Sequence, residues 1–535
     1  MAEGFDLRDE PWIPVRLGGC SSRVGLRELF YRAHEIEDIE LPVPPAASGL
    51  LRVLAAMTSR IAGSGGVPLC DEDEAENADD WFGLRERILE RERFETKAVD
   101  AYFDDEALGG RFDLFDAQRP FLQDPRLRAE CVDPKGKPNP SGINKLVMGR
   151  PTGINGAVLF GHFSDTAPVA VSAAEAAWHL IATLYYGPSG QCTPRRITTV
   201  RTGSGDAGPL RKTISFHAWA PDLFTTLLLA VPTPGSGAEG PDSCPWEEEK
   251  LPDPLGTLAS FTWPGRMLTG RARHAVLLMP SADHTQVVDA YVSWSTHQPP
   301  PAVRDPHVIL DMPRTGDGAP YARMADGQRA LWRDLDALLL VGDSQTQRPS
   351  TLDHLPRALA PTLRVRAYGF DQDGQQRDSI WFEATTPPVL TWQQHTSPEA
   401  TPYPGMAEYV ARCHRAAEEV ADKLQYAARL AWKLATDPGE DPSGKVKLDP
   451  KKYGPWASLA LTRYWRAAEE TFWDLADPQR IDTPPHPPFV RIALDALDEA
   501  IGARSADVRV ARARNRARTA IRSALPKPPP TAPGE

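Results

Sequence analysis

The chain has 535 residues and a formal net charge of −12, so it is too long for one hydrophobic core and predicts two to four compact units. A hydrophobic fraction of 41% and a charged fraction of 25% are typical of a soluble globular protein. No apolar run approaches the roughly 18 residues that a membrane span needs, and the N-terminal residues MAEGFDLRDE lack the basic start of a signal peptide. These features exclude a membrane protein and predict a cytoplasmic one.

The six cysteines lie far apart, with no C-x-x-C pair. This spacing argues against a zinc ribbon and against a disulfide framework, and it predicts free thiols in a reducing compartment. The high proline content, 53 residues, indicates many rigid loops and long irregular connections.

The first third of the chain predicts packing elements. Residues 5–16 (FDLRDEPWIPVR) indicate an edge or irregular strand with apolar anchors at Trp12, Ile13 and Val15. Apolar residues at helical spacing predict a helix over Pro45–Ala62, and Asp80–Phe94 predicts a charged amphipathic helix. The loop at 133–142 (DPKGKPNPSG) is too polar to bury much surface.

A basic, glycine-rich stretch follows at Gly142–Phe216. Its last third contains a single acidic residue, Asp206, and five basic ones: Arg195, Arg196, Arg201, Arg211 and Lys212. Glycine allows a backbone to approach a ligand closely, and Arg or Lys neutralises phosphate, so this island in an acidic protein indicates an anionic partner. A pair of ordinary surface loops is the alternative.

Within that stretch, Ala173–Tyr186 predicts a buried helix that ends at Gly187-Pro188, with His179 as a core residue. Strands are predicted at Ile197–Arg201 and Thr213–Trp219. The connector Gly203–Gly208 matches G-x-G-x-x-G, but Pro209 and a strand follow instead of the helix that a dinucleotide site requires. We therefore interpret it as a hairpin loop.

Residues 232–253 predict a disordered insert, and Leu258–Ile309 predicts short strands without a substantial helix. Alternating residues in 363–392 then predict two strands joined by a polar tip, Asp371–Asp378. The tip contains three glutamines and a glycine: Gln372, Gly374, Gln375 and Gln376. Amides held on rigid strands can hydrogen-bond base edges, although an ordinary exposed turn has the same composition.

Four helices are predicted after residue 395: Pro404–Thr436, Pro455–Ala476, Pro488–Gly502 and Ala506–Leu525. Val410, Cys413, Ala417, Val420, Leu424 and Ala428 form an interior stripe on the first. The last helix has a small apolar face flanked by arginines, which could contact phosphate or form surface salt bridges. Residues 527–535 predict a disordered tail.

Motifs of known enzymes are missing from the sequence. There is no H-E-x-x-H and no G-x-S-x-G, and the twelve histidines lack metal-ligand spacing. We therefore expect a binding protein with no catalytic residue, metal or cofactor. A hydrolase or nuclease whose carboxylates are brought together by folding is one alternative, and a purely structural assembly scaffold is another.

Six features occur in a family-like order: DEPWIPVR, RPFLQ, NKL with GINGAVLF, the glycine turn after the central helix, the glutamine-bearing hairpin and four C-terminal helices. In this order the chain resembles the large subunit of the type I-E CRISPR surveillance complex, the CasA family of Cascade. The resemblance spans nearly the whole sequence. It implies an RNA-guided complex in which this subunit recognises the protospacer-adjacent motif in double-stranded DNA, starts unwinding and helps to recruit the helicase-nuclease.

The resemblance also implies functional residues. A glycine loop that approaches the minor groove corresponds to Gly187, Pro188, Ser189 and Gly190, with Arg195 and Arg196 nearby. A glutamine wedge corresponds to Asp371–Asp378, with Gln375 or Gln376 at its tip. Contacts to the guide RNA or to neighbouring subunits fall in Asn155–Ala170, at Asn155, Phe160, His162 and Phe163.

The chain also departs from the family pattern. No lysine occurs between Lys250 and Lys423, where a lysine finger is expected, so either an arginine such as Arg266, Arg271 or Arg273 replaces it or the contact is absent. Clustered cysteines suited to zinc, present in some relatives, are missing.

The predicted architecture is therefore α+β: a large, mixed, irregular N-terminal globular domain (1–395), a four-helix bundle (396–526) and a disordered tail (527–535). The predicted partners are other Cascade subunits with their guide RNA, target DNA and the helicase-nuclease.

Overall fold

The structure is a computed structural model that describes residues 4–62, 78–152, 162–233, 242–299, 304–313, 318–341, 346–372, 378–395, 402–437, 439, 444, 446–449 and 454–525. The predicted tail at 527–535 and part of the predicted insert, 234–241, lie outside the described residues. Among the cysteines, Cys20, Cys131, Cys192, Cys244 and Cys413 are described and all are free thiols.

The chain forms two compact units. The first contains residues 1–329 and 342–390, and the second contains residues 330–341 and 391–535. The predicted junction at 395 lies close to the observed one at 390. The excursion of 330–341 into the second unit was not predicted, because its apolar residues give no sign of which unit they join.

The first unit mixes strands and helices. Its strands are β1 (Ile13–Leu17), β2 (Cys20–Val24), β3 (Ile36–Ile39), β4 (Val171–Ser172), β5 (Gly190–Ile197), β6 (Val200–Gly205), β7 (Ile214–Trp219), β8 (His274–Pro280), β9 (Gln286–Trp294), β10 (Leu310–Asp311), β11 (Tyr321–Ala322), β12 (Thr346–Gln347), β13 (Arg364–Gln372) and β14 (Asp378–Thr385). Its helices are α1 (Leu26–Tyr31), α2 (Pro44–Ile61), α3 (Ala78–Leu89), α4 (Thr96–Phe103), α5 (Leu127–Glu130), α6 (Ile143–Leu146), α7 (Ala173–Tyr186), α8 (Leu223–Ala230) and α9 (Gly265–Thr269).

Helix α2 forms the centre of the first unit. All of its 18 residues are buried, because α7, α8, α9 and β13 pack around it. Two prolines occupy its first turn, where no backbone N–H is needed for the helix. The helix predicted at Pro45–Ala62 is thus confirmed, and it is buried on every side.

Five small sheets surround this core. Their strand orders are β2-β1-β3, β4-β9-β8, β14-β13-β7, β11-β10-β12 and β5-β6. In the third sheet, β13 pairs antiparallel with both neighbours, so that Gly369 lies opposite Phe382 on one side and Ile214 on the other. The predicted hairpin over 363–392 is therefore confirmed.

The hairpin loop predicted at Gly203–Gly208 is wrong. Strand β6 already contains Gly203 and Gly205, and the turn of that hairpin is at Thr198-Thr199. Strand β7 pairs instead with β13, far along the chain, because its six residues are all buried and need partners inside the core. Local sequence cannot show such a long-range pairing.

The second unit is helical, with α10 (Leu335–Leu339), α11 (Met406–Thr436), α12 (Pro455–Leu475), α13 (His486–Ile501) and α14 (Val508–Arg522). The last four occupy the four predicted helical stretches. The interior stripe predicted for α11 is buried, and so is the small apolar face of α14. Arg518 of α14 pairs with Asp498 of α13, and Arg509 donates to the carbonyl of Leu434 at 2.7 Å. None of the described helices is long and apolar enough to cross a lipid bilayer.

Candidate nucleic-acid interface

Helix α7 leads into the predicted DNA-reading segment. It begins with a capping box, in which the Glu175 N–H donates to the Ser172 hydroxyl and the Ser172 N–H donates to the Glu175 carboxylate. It ends at Gly187, whose N–H donates to the carbonyl of Thr183 at 2.9 Å. The predicted helix and its stop are confirmed, and His179 is a core residue that is 7% exposed.

Two glycines determine the path of the segment Gly187–Gly190, which we call the glycine loop. A β-carbon on Gly187 would lie 2.6 Å from the carbonyl oxygen of Thr183, too close for any side chain. Gly190 has a φ of +109°, which side chains other than glycine rarely adopt. The loop therefore keeps a defined backbone although Pro188 and Ser189 stand between the glycines.

A buried histidine supports the glycine loop. Nε2 of His274, on β8, donates to the Pro188 carbonyl at 3.0 Å. Burial lowers the pKa of His274 to about 4, so the ring is neutral at pH 7. The acceptor on the loop requires the tautomer with the proton on Nε2.

Strands β5 and β6 form what we call the basic hairpin. Its register places Arg196 directly opposite Arg201, and both side chains are exposed on the same face. Neither arginine makes an ion pair within the part of the chain that the structure describes. Two like charges directly opposite each other destabilise a hairpin, and a bound anion would relieve that repulsion.

Arg195 does not belong to this exposed face, which corrects its assignment as a DNA contact. Its side chain is completely buried, with Nη2 at 2.7 Å from Asp124 and Nε at 2.5 Å from Glu130. It also donates to the carbonyl of Trp294 at 3.1 Å. Since successive strand residues face opposite sides, Arg195 points into the protein where Arg196 points out.

Residues 206–213, which we call the return segment, bring the chain back to the end of α7. The Leu210 N–H donates to the Tyr185 carbonyl and Arg211 Nη1 to the Tyr186 carbonyl, both at 2.9 Å. Gly208 donates to the Gly187 carbonyl at 2.9 Å. These bonds satisfy carbonyls that the helix end would otherwise leave unpaired, and they fix the return segment to the glycine loop.

The return segment also reaches the glutamine hairpin. The Lys212 N–H donates to Oε1 of Gln372, the last residue of β13, over 3.4 Å. Gln372 is only 6% exposed, so it anchors the base of the hairpin and is not available to base edges, which corrects its assignment. Gly374, Gln375 and Gln376 lie outside the described residues. The two halves predicted from sequence are thus linked through the return segment.

The four residues predicted to contact the guide RNA or a neighbouring subunit are described only in part. Asn155 and Phe160 lie outside the described residues, whereas His162 and Phe163 are exposed. The Arg150 guanidinium carbon lies 4.3 Å from the centre of the Phe163 ring, a cation–π contact at the protein surface.

The three arginines considered as replacements for a lysine finger are all engaged. Arg266 donates to the Glu248 carboxylate through Nε at 2.9 Å, and Arg273 pairs with Asp206 at 2.5 Å. Arg271 donates to the carbonyls of Met267 and Arg304, each at 3.0 Å. Each guanidinium therefore already has a partner inside the first unit.

Sequence reasoning overlooked two basic residues, one on the basic hairpin and one next to the start of its first strand. Arg201 contributes only to the charge balance in the sequence, because the strand predicted at Ile197–Arg201 is interrupted by the turn at Thr198-Thr199 that places Arg201 opposite Arg196. Lys145 lies far upstream on α6, and its ammonium is 3.4 Å from the Gln191 carbonyl at the start of β5. Only the tertiary fold brings Lys145 to the basic hairpin.

The architecture matches solved structures over nearly its full length. A chain of a structure described as a CRISPR RNA-guided surveillance complex has a TM-score of 0.82 and 37% identity, covering 97% of this chain and 99% of that one. Thermus thermophilus CasA (Cse1) has a TM-score of 0.69 at 22% identity, covering 98% of this chain and 99% of that one, a likeness of fold alone. The fold class is thus that of Cse1 proteins, a mixed unit followed by a helical region.

Sequence comparison leads to the same family. The model of CRISPR-associated protein Cse1 matches residues 6–500. A CRISPR-associated protein CasA/Cse1 from Thermus thermophilus is 31% identical over 351 residues, which cover 63% of this chain and 60% of that relative's length. The chain belongs to the CRISPR-associated Cse1 family.

Proposed function

We propose that this protein is the subunit of an RNA-guided antiviral surveillance complex that recognises the protospacer-adjacent motif in double-stranded DNA and starts to open the duplex. Membership in the Cse1 family supports this, as does the 37% identity to a chain of a structure described as a CRISPR RNA-guided surveillance complex. In that role the chain binds and does no chemistry. Its partners are the other subunits with their guide RNA, the target duplex and the helicase-nuclease that it helps to recruit.

The observation that carries the DNA-binding part of the proposal is the pair Arg196 and Arg201. They are exposed, lie opposite each other on the basic hairpin and have no carboxylate partner among the described residues. A phosphate backbone supplies the missing negative charge. The adjoining glycine loop offers a side-chain-poor backbone for approach to the minor groove, where readout is degenerate and several related motifs would be tolerated.

The glutamine hairpin supplies the opening step in this proposal. Its strands are anchored in the sheet β14-β13-β7 and by the bond from Lys212 to Gln372. A tip on such a rigid base can press Gln375 or Gln376 between base pairs. Its contacts must offset an unstacking cost of a few kcal/mol per step.

The test for the basic hairpin is duplex binding by the assembled complex at several salt concentrations. Changing both Arg196 and Arg201 to Glu should weaken binding and reduce the slope of log affinity against log salt by about 2, since each lost phosphate contact removes about 0.9. Arg93→Glu, on an exposed loop before α4, is the matched control. An unchanged slope in the double variant would place the hairpin away from DNA.

The test for the wedge measures duplex opening by the assembled complex. Opening is monitored through the fluorescence of a base analogue placed next to the motif. Gln375→Ala with Gln376→Ala should abolish the fluorescence rise while motif-dependent binding persists. Gln118→Ala, an exposed glutamine of the same unit, should behave as the unmodified chain. Normal opening in the double variant would refute the wedge assignment. Crosslinking only to RNA and protein, never to duplex, would favour an assembly scaffold.

A further inference from the structure

The first unit contains a cleft with a volume of about 120 Å³, and three arginine side chains contribute to its wall. Arg111, Arg119 and Arg126 line it, together with residues of the loop that runs from Pro245 to Pro252. Its lining does not include the glycine loop, the basic hairpin or the glutamine hairpin.

Backbone carbonyls hold the three guanidinium groups in place. Arg111 donates to the carbonyl of Glu248 at 2.8 Å, and Arg119 donates to the carbonyls of Glu248 and Glu249, each at 2.7 Å. Arg126 donates to the carbonyl of Pro252 at 3.0 Å. Each arginine has further N–H donors, so the loop orients the guanidinium groups without using up their capacity.

Charge in the cleft is not balanced. Asp124 is the acidic residue of the lining, and it already pairs with Arg126 at 2.8 Å and with Arg195 at 2.7 Å. Neither Arg111 nor Arg119 forms an ion pair with any carboxylate in the described ranges, and the Glu248 carboxylate is bound by Arg266. Burial and the neighbouring charge of Arg111 lower the pKa of Arg119, although the nearby Glu248 carboxylate raises it.

Apolar side chains form the floor beneath the arginines. Leu184, Tyr185, Trp246 and Val276 all line the cleft and are each at most 6% exposed. A floor of low polarity strengthens the attraction between a guanidinium and an anion, because fewer water dipoles screen it.

We propose that this cleft binds a phosphate-bearing anion of the size of phosphate or pyrophosphate. The planar fork of arginine matches phosphate oxygens with two parallel hydrogen bonds, and two uncompensated arginines match a doubly charged group. The volume of the cleft is sufficient for a phosphate or pyrophosphate group. The site is separate from the proposed DNA-reading surface, so it stands whether or not that proposal does.

The experiment measures thermal unfolding of the full chain with increasing pyrophosphate or inorganic phosphate, against sodium chloride at matched ionic strength. We expect a saturable rise in Tm of roughly 2–5 °C with pyrophosphate. Arg111→Gln and Arg119→Gln should each abolish the rise, Arg119→Lys should retain part of it, and the exposed Arg128→Gln should retain all of it. Each variant is compared with its own anion-free Tm, so a destabilised variant remains informative.

A rise that is linear in concentration, or that is equal in Arg119→Gln and Arg128→Gln, would overturn the proposal. Competition then separates the sources of the anion. Stronger displacement of pyrophosphate by a 5′-phosphorylated than by a 5′-hydroxyl oligonucleotide assigns the site to a nucleic-acid terminus, and failure of both to displace it assigns the site to the free anion.

Discussion

Adjacent arginines with opposite environments show how much a single residue's position on a strand decides. Arg195 is fully buried between Asp124 and Glu130, whereas Arg196 is exposed. In the sequence they form one dibasic pair, and the family resemblance predicts a DNA contact for both. Because successive side chains of a strand point to opposite faces, Arg195 is buried as a structural residue and Arg196 is left exposed to solvent.

Arg195→Ala should therefore lower the free energy of unfolding by about 3–5 kcal/mol, because it removes a fully buried cation that pairs with both Asp124 and Glu130 and leaves Asp124 with Arg126 alone. Arg196→Ala should leave stability almost unchanged. Urea unfolding of the two variants measures the difference. Equal, small effects would mean that Arg195 is not the buried anchor that the geometry indicates.

Buried histidines predict acid sensitivity. Burial lowers the pKa of His179 and of His274 to about 4 and that of His307 to about 3, compared with 6.5 for a free histidine. The unfolded chain therefore binds more protons below pH 6.5, and stability is full above that pH and falls as the pH drops towards 4. At pH 5, each of these histidines should lower the free energy of unfolding by about 2 kcal/mol relative to its value above pH 6.5.

The measurement is the urea midpoint at pH 7.5 and at pH 5. His274→Gln, whose amide can still donate to the Pro188 carbonyl, should show a smaller drop between the two pH values than the unmodified chain. Identical drops would show that His274 is not held neutral by burial.

At the scale of elements, the return segment matters more than the motifs on either side of it. It connects the end of α7, the glycine loop and the base of the glutamine hairpin by backbone and side-chain hydrogen bonds. Of the literal G-x-G-x-x-G motif, only the last glycine, Gly208, lies in the return segment, since Gly203 and Gly205 belong to β6. Gly208 is required because a β-carbon there would lie 2.5 Å from the Tyr185 carbonyl oxygen.

Gly208→Ala should push the return segment away from α7 and impair duplex opening by the assembled complex, although no residue of the glutamine tip changes. Gly83→Ala, where the nearest atom to the new β-carbon is a flexible arginine nitrogen at 3.8 Å, is the matched control. Opening is followed with the same base-analogue fluorescence. An unaffected Gly208 variant would show that the two halves of the site do not depend on this connection.

At the scale of the whole molecule, the helical unit is not one continuous stretch of chain. Trp332, from the excursion 330–341, is 1% exposed and stacks on Phe472 of α12 at 4.5 Å between ring centres. Arg333 donates to the Glu418 carboxylate of α11 at 2.8 Å. The second unit thus depends on residues that are separated in the sequence from the rest of it by the segment 342–390.

Trp332→Ala should destabilise the second unit by about 3–5 kcal/mol through loss of a large buried side chain. Hydrogen exchange should accelerate in α11 and α12 and remain unchanged in α2. Trp381→Ala, where the tryptophan is 39% exposed on β14, is the control. Exchange that accelerates equally in α2 would show that the two units unfold together.

The sequence by itself determined the elements whose signals are local. The helix α7 with its glycine stop, the strands of the glutamine hairpin, the buried stripe of α11 and the four C-terminal helices all follow from periodicity, caps and turn residues. The ordered motifs also identified the family. These features can be predicted from the sequence because the signals for each lie within a few residues along the chain.

Only the tertiary structure decided which side chains of these elements face solvent and which distant segments are in contact. The pairing of β7 with β13, the burial of Arg195 and Gln372, and the approach of Lys145 to β5 all depend on contacts between distant segments. So does the ion pair at 2.8 Å between Arg52, inside the apolar helix α2, and Asp305. Charge and spacing in one sequence cannot show these contacts, because burial is a property of the whole chain packed on itself.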